Sequence, residues 1–422
     1  LSKQQPTNTV FPASVFHLDN GLTLIHQEIP TTPVVVADVW VRAGASVESE
    51  HWFGMAHFLE HMIFKGTATL PPGAFDYNIE NRGGVSNAAT SYDYVHYSVT
   101  TAAPYLEETL PHLGDLLLNA TIPDDEFIRE RDVVLEEIRA CQDDPDWIGF
   151  QTLIESIYDR HPYGRPVLGT EEELMHHSPE AMRRFHRAHY QPENMTVVIV
   201  GGIAQQPALE LVKRTFKNFG HRADCPPCEK FPEPIISGIC RREIILPRLE
   251  QARLLMAWTA PGVEQLRTAY GLDMLTVLLA EGRTSRLIQD LREERQLVQG
   301  ICSNFSLQRE SSLFTITAWL DAEHLAEVEF LIRAHLDNLH SQEMSQRELA
   351  RISRLLCNEY AFSTETPNQL TGLYGYYNTI AQAELAVTYP QQIKSFNAQE
   401  LQKLAQQYLS PQNYAVTVLK PD

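Results

Sequence analysis

The chain repeats itself once, and that repeat constrains its fold more than any local pattern. Ser178-Pro179-Glu180 opens a helical segment with serine at the N-cap and proline at the first helical position. The segment runs to Tyr190, turns at Gln191-Pro192-Glu193-Asn194 and enters the β-rich run Met195 to Val200. Asn397-Ala398-Gln399-Glu400 opens a second such segment, with asparagine at the N-cap and glutamate at N3. It reaches Tyr408, turns at Ser410-Pro411-Gln412-Asn413 and enters Tyr414 to Leu419. Ser178 and Asn397 are 219 residues apart, as are Asn194 and Asn413, while Trp40 and Trp258 close two further strand-like runs 218 apart. Solenoid repeats are about 20–50 residues long, so a repeat of this size means two related domains. Periodicity lapses between Lys217 and Pro234, where glycine, proline and cysteine concentrate. The expected layout is a domain over 1–222, a linker over 223–234 and a homologous domain over 235–422. Each mixes strands and amphipathic helices in an α+β order.

Only the first half carries metal-binding chemistry. In His57-Phe58-Leu59-Glu60-His61 the two histidines are four apart, so a helix sets them on one face, one turn apart. Two imidazoles and a carboxylate suit Zn²⁺, and the H-x-x-E-H order is that of the inverted zinc-protease helix. Shifted by 218, the motif falls on Leu275-Thr276-Val277-Leu278-Leu279, which offers no ligand. A third ligand is sought in the helical segment Arg129 to Ile138. There Glu130 and Glu137, seven apart, share a face and Glu136 points about 100° away. The segment by itself does not choose among the three.

Composition narrows the partners. The net charge of −20 disfavours nucleic acid, which needs a basic stripe, and suits a cationic peptide. No run of about 18 apolar residues exists, so no membrane span is expected. Six scattered cysteines fit a reducing compartment, and Cys225-Pro226-Pro227-Cys228 reads as linker decoration rather than a redox or zinc pair. A bacterial cytoplasm is the expected location. An organelle matrix, a stroma or a periplasm is the alternative if a targeting segment preceded Leu1.

The run Gly54-Met55-Ala56-His57-Phe58-Leu59-Glu60-His61-Met62-Ile63-Phe64-Lys65-Gly66-Thr67 resembles the pitrilysin family of inverzincin metallopeptidases, especially its processing-peptidase branch. With the internal repeat, the resemblance covers essentially the whole chain. It implies two homologous α/β-sandwich domains of the processing-peptidase-like metallohydrolase fold. It implies one Zn²⁺ per chain on His57, His61 and Glu137, with Glu60 as general base and Glu130 as an auxiliary acid. Asn87, Ala88 and Ala89, just ahead of a strand read over Tyr92 to Thr100, fall where the family has an edge strand that pairs with extended substrate. In the second domain the family pattern has an arginine and, seven residues later, a tyrosine that bind the substrate carbonyl. Here Arg292 stands, but Gln299 replaces the tyrosine. Either Gln299 serves in its place or the missing pair comes from another chain; the resemblance favours a dimer enclosing a chamber, and a heterodimer with a non-metal homologous subunit slightly over a homodimer.

The expected function is zinc-dependent hydrolysis of short, unstructured, basic peptides, such as targeting or signal remnants. The alternatives are a structural subunit akin to the core proteins of a respiratory cytochrome complex, and a peptide-binding module with a structural zinc. Among other residues, His176 and His177 read as exposed. His186 and His189 read as poor ligands among Arg183, Arg184 and Arg187, and Tyr374, Tyr376 and Tyr377 as packing residues.

Overall fold

The run Val34 to Val41 has almost no polar alternation, so as a strand it needs neighbours on both edges and cover on both faces. The computed structural model, which describes residues 10–224, 226 and 234–422, provides both. Strands β1 (Ser14–His17), β2 (Thr23–Glu28), β3 (Val34–Val41), β4 (Val85–Thr90), β5 (Val95–Ala102) and β6 (Met195–Gly201) form one sheet in the order β1-β2-β6-β3-β5-β4. A second sheet holds β7 (Ile239–Ile245), β8 (Ala252–Pro261), β9 (Gly300–Ser306), β10 (Ser311–Leu320) and β11 (Tyr414–Lys420) in the order β7-β11-β8-β10-β9.

The two orders are the same once β1 is set aside. In each sheet a single parallel pair, β2 with β6 or β7 with β11, sits among antiparallel ones. The repeat persists at the level of register. Trp40 faces His96 across β3 and β5, and Trp258 faces Phe314 across β8 and β10, both members shifted by 218. Both N-caps form as the sequence suggests: Ser178 Oγ accepts from the Ala181 N–H at 3.2 Å, and Asn397 Oδ1 from that of Glu400 at 2.9 Å. The Glu400 carboxylate binds Arg267 at 2.7 Å.

The chain forms two compact units, and each draws on both halves of the sequence. One takes the described residues within 1–135, 167–228 and 361–389; the other takes those within 136–166, 229–360 and 390–422. The helix Pro367–Ile380 packs on β3 and β6 of the first sheet, and the helix Pro145–Ile157 packs on β8 and β11 of the second. Glycine permits both approaches. A Cβ on Gly149 would lie 2.5 Å from Leu419 Cδ1, and one on Gly375 would fall inside the Trp40 indole.

One sequence reading changes here. The second strand of the β4–β5 hairpin begins at Val95, not Tyr92, because Ser91 to Tyr94 make the turn, with the Ser91 N–H donating to the Tyr94 carbonyl at 2.8 Å. Asp93 inside that segment is a turn former. The Cys225 and Cys228 pair lies outside the described residues.

The second unit also holds a pH-sensitive contact. Burial pushes the Glu281 carboxyl up to about 7; a hydrogen bond with Glu359 and the charges of Glu359 and Asp273 add to this, and Arg351 opposes it. The folded state therefore binds more protons than the unfolded chain between the ordinary carboxylate range and about pH 7. This contribution is complete at low pH and is lost as pH rises through that window. Glu281→Gln is expected to stabilise the protein most above pH 7, with the gap to wild type closing as pH falls to 5. Thermal unfolding at pH 5, 6, 7 and 8 measures this, and a pH-independent gap would refute it.

Candidate metal and catalytic site

The motif lies on the helix Met55–Ile63, whose start is fixed from outside. Its N-cap is Gly54 in the left-handed region at φ +80°, where a Cβ would meet Leu168 O at 2.6 Å and Gly169 Cα at 2.8 Å. The helix lacks a capping side chain at Gly54, and the Glu48 carboxylate supplies one from six residues upstream. Its two oxygens accept from the N–H groups of Gly54 at 3.0 Å and Ala56 at 2.7 Å. A buried carboxylate at a helix N-terminus meets both unpaired donors and the positive end of the dipole. The inward face, Met55, Phe58, Leu59, Met62 and Ile63, is wholly buried and holds the helix against the core.

On this helix the His57 and His61 rings stand with centroids 4.8 Å apart. The helix Asp124–Asp143 brings up the acidic residues. Its Phe127, Val134 and Ile138 are buried, which turns Glu130 and Glu137 to one side. One ligand atom each from His57, His61 and Glu137 lie within 4.8 Å of one another. No other such cluster of three exists among the described residues. Glu136 points to solvent and pairs with Arg139 at 2.5 Å.

Glu130 takes a different position from Glu137. Its Oε1 accepts from His61 Nδ1 at 3.0 Å and its Oε2 lies 2.6 Å from Lys65 Nζ. Burial raises its carboxyl, but these two hydrogen bonds and charges outweigh burial and hold it below the usual range. An Nδ1–H bonded to a carboxylate leaves the Nε2 lone pair of His61 for a cation. Two imidazoles, one carboxylate and such a supported ring are the donor set of a hydrolytic zinc centre with an open position, so these residues fit Zn²⁺.

Glu60 is half-buried beside this cluster. Its Oε2 accepts from Thr90 Oγ1 at 2.5 Å, which ties the helix to β4. Behind it, the phenols of Tyr97 and Tyr190 share a 2.7 Å hydrogen bond. Burial raises both phenols, and the Glu60 charge adds to that, so both stay neutral. Thr90 thus gives Glu60 a firm hydrogen bond on one carboxylate oxygen.

Strand β4, carrying Asn87, Ala88 and Ala89, is the edge of the first sheet. Asn87 and Ala89 are exposed, and Ala88 is half-buried opposite Tyr97. Arg292 and Gln299 belong to the second unit. Arg292 is exposed in the π-helical segment Ile288–Glu294, and the Gln299 amide donates to Asp321 at 3.2 Å.

Sequence reasoning missed Glu48, Lys65 and Thr90. Lys65 follows the motif by one helical turn and was open to detection by that spacing. The other two reach the helix through the fold and leave no local signal. One residue is corrected: His177 is buried, not exposed, with Nε2 donating to the Phe53 carbonyl at 2.8 Å. His186 donates to the Leu117 carbonyl at 2.8 Å. Burial pushes His186 and His189 down to about 4, so both are neutral at pH 7. Tyr374 and Tyr377 are buried packing residues, as expected.

Comparison with known proteins places the chain in a family. A family profile described as insulinase (peptidase family M16) matches residues 23–171, and one described as peptidase M16 inactive domain matches residues 177–356. The chain is 28% identical to zinc protease PqqE of Helicobacter pylori, over 96% of this chain and 92% of that one. It is also 28% identical to the uncharacterized zinc protease YmxG of Bacillus subtilis, over 95% and 97%. A crystal structure of a protease from Helicobacter pylori superposes with a TM-score of 0.90 at 26% identity, covering 97% of this chain and 99% of that one.

Proposed function

Because the chain belongs to the M16 family of peptidases, we propose that it is a zinc endopeptidase that cleaves short, extended, basic peptides. The convergence of His57, His61 and Glu137 within 4.8 Å carries this reading. It is supported by the bond from Glu130 to His61 Nδ1 and by the relatives named zinc proteases.

Zinc bound there would supply a Lewis acid for the scissile carbonyl and lower the pKa of a water to about 7. Glu60 takes the proton of the attacking water and delivers it to the leaving amine. Thr90 holds the Glu60 carboxylate in one orientation. The free edge of β4 offers backbone hydrogen bonds to an added strand, which gives grip with little demand on sequence. Asn87, Ala88 and Ala89 line that edge. The acidic balance of the chain attracts cationic peptides.

The engagement of Gln299 with Asp321 favours a second reading, in which a homologous non-metal partner supplies the absent phenol. Cleavage of a quenched basic peptide by the purified chain, with zinc measured on the same sample, tests both. Cleavage stopped by 1,10-phenanthroline supports a self-sufficient peptidase. Full zinc without cleavage points to the partner. Absence of zinc binding refutes the proposal.

Glu137→Gln is expected to weaken zinc binding by at least tenfold, since it replaces a charged ligand by a neutral amide. Chelator competition measures this. Full affinity in that variant would move the third ligand to Glu130 or Glu136, both already committed to cations in this structure.

A further inference from the structure

We propose that Lys65 is a positioning residue of this centre, acting through Glu130 on His61; the inference rests on the zinc-site reading above. Lys65 stands four residues after His61, in the turn just past the end of the helix Met55–Ile63. Its ammonium lies 2.6 Å from Glu130 Oε2, while Glu130 Oε1 lies 3.0 Å from His61 Nδ1. The side chains of Lys65, Glu130 and His61 are 26%, 10% and 22% exposed, so the chain of contacts is largely shielded from water.

The geometry matters because a glutamate carboxylate turns easily about its last torsion, whose minimum is broad. Held by His61 alone, it can swing Oε1 away from the ring and still keep a polar partner in water. The ammonium at Oε2 fixes the second oxygen and with it the carboxylate plane. The His61 proton then stays on Nδ1, the ring cannot flip, and Nε2 keeps its lone pair towards His57 and Glu137.

The main chain holds Lys65 in place. Its N–H donates to the Met62 carbonyl at 3.1 Å where the helix ends, and Gly66 turns away at φ +101°. A cation there also faces the negative end of the helix dipole. The turn is pinned in its own right: Thr67 and Thr69 hydroxyls each donate to Asp115 Oδ2 at 2.6 Å. Removing the Lys65 charge therefore leaves the fold of this segment intact.

The test is Lys65→Met, which keeps the length of the side chain and removes its charge and donors. Zinc affinity by chelator competition, thermal unfolding of the metal-free protein, and the His61 tautomer from imidazole ¹⁵N shifts are measured together. The expected result is a loss of zinc affinity of about 10–100-fold, the scale found for groups that support a metal ligand. The metal-free unfolding midpoint should hold, His61 should become a mixture of tautomers, and Lys65→Arg should recover most of the affinity. Unchanged zinc affinity with a single His61 tautomer would overturn the proposal, and so would a fall in affinity matched by a fall in metal-free stability. If wild type bound no zinc, the zinc reading would fail by itself, and the His61 tautomer in Lys65→Met would still decide the role of Lys65.

Discussion

Glu60→Gln should retain one zinc per chain and lower peptide cleavage by about 10²–10⁴-fold, the range supplied by a positioned general base. The amide matches the carboxylate in shape and still accepts the Thr90 hydroxyl, whose bond to Oε2 is 2.5 Å. The three clustered ligand atoms come from His57, His61 and Glu137, so the change leaves the donor set whole. What is lost is the ability to accept a proton. The neighbouring phenols cannot replace it, because burial keeps Tyr97 and Tyr190 protonated. The measurement is kcat/KM on a quenched peptide, with zinc content determined on the same preparation. Turnover at the wild-type rate would sink the mechanism, and loss of zinc would make Glu60 a ligand.

Gly375→Ala should be a strongly damaging single methyl group in the first unit. A Cβ at this position would overlap the Nε1, Cε2 and Cδ1 atoms of Trp40, a rigid indole at 3% exposure near the end of β3. Trp40 cannot turn aside, since it stacks on His96 at 4.5 Å and lies against Tyr94 at 4.7 Å. The helix Pro367–Ile380 cannot retreat without breaking the bonds from Tyr374 to Gln27 at 2.7 Å and from Asn378 to Thr196 at 2.8 Å. Overpacking of a dense core costs about 1–3 kcal/mol, and the failed escape routes place this substitution at the upper end. Thermal or urea unfolding should show that loss, and Trp40→Phe in the Gly375→Ala background should recover part of it. A variant as stable as wild type would mean that Trp40 and the helix can move apart at no cost.

Much of this was legible in the sequence because it is local or periodic. The 218–219 offset carries through to matching strand order and matching cross-strand pairs, since both halves repeat the same strand runs and turns. The H-x-x-E-H helix and the shared face of Glu130 and Glu137 follow from helical spacing alone. The proximity of Glu137, rather than Glu130 or Glu136, to both histidines did not. It depends on which turn of the acidic helix comes opposite His57, a matter of how two helices cross. Glu48 and Thr90 were illegible for the same reason, since each reaches the motif helix from an element with no sequence pattern pointing at it. His177 misled because two adjacent histidines before an N-cap look like a surface turn, and only the fold brings the Phe53 carbonyl to one of them.

The reciprocal exchange of helices sets an order on the birth of the molecule. By the time β6 is made at Gly201, the first sheet has all its strands, but the helix that lies on β3 and β6 ends at Ile380. A ribosome adding roughly 5–20 residues per second leaves an interval on the order of 10–40 seconds between the two. Through that interval Trp40 and its neighbours have a bare apolar face, and the nascent chain is a client for whatever holdase stands at the exit tunnel. The second sheet has no such delay, because the helix Pro145–Ile157 is already waiting when its strands emerge. The first sheet is thus the first to be synthesised and waits longest for its cover, which ends at Ile380, shortly before β11 completes the second sheet.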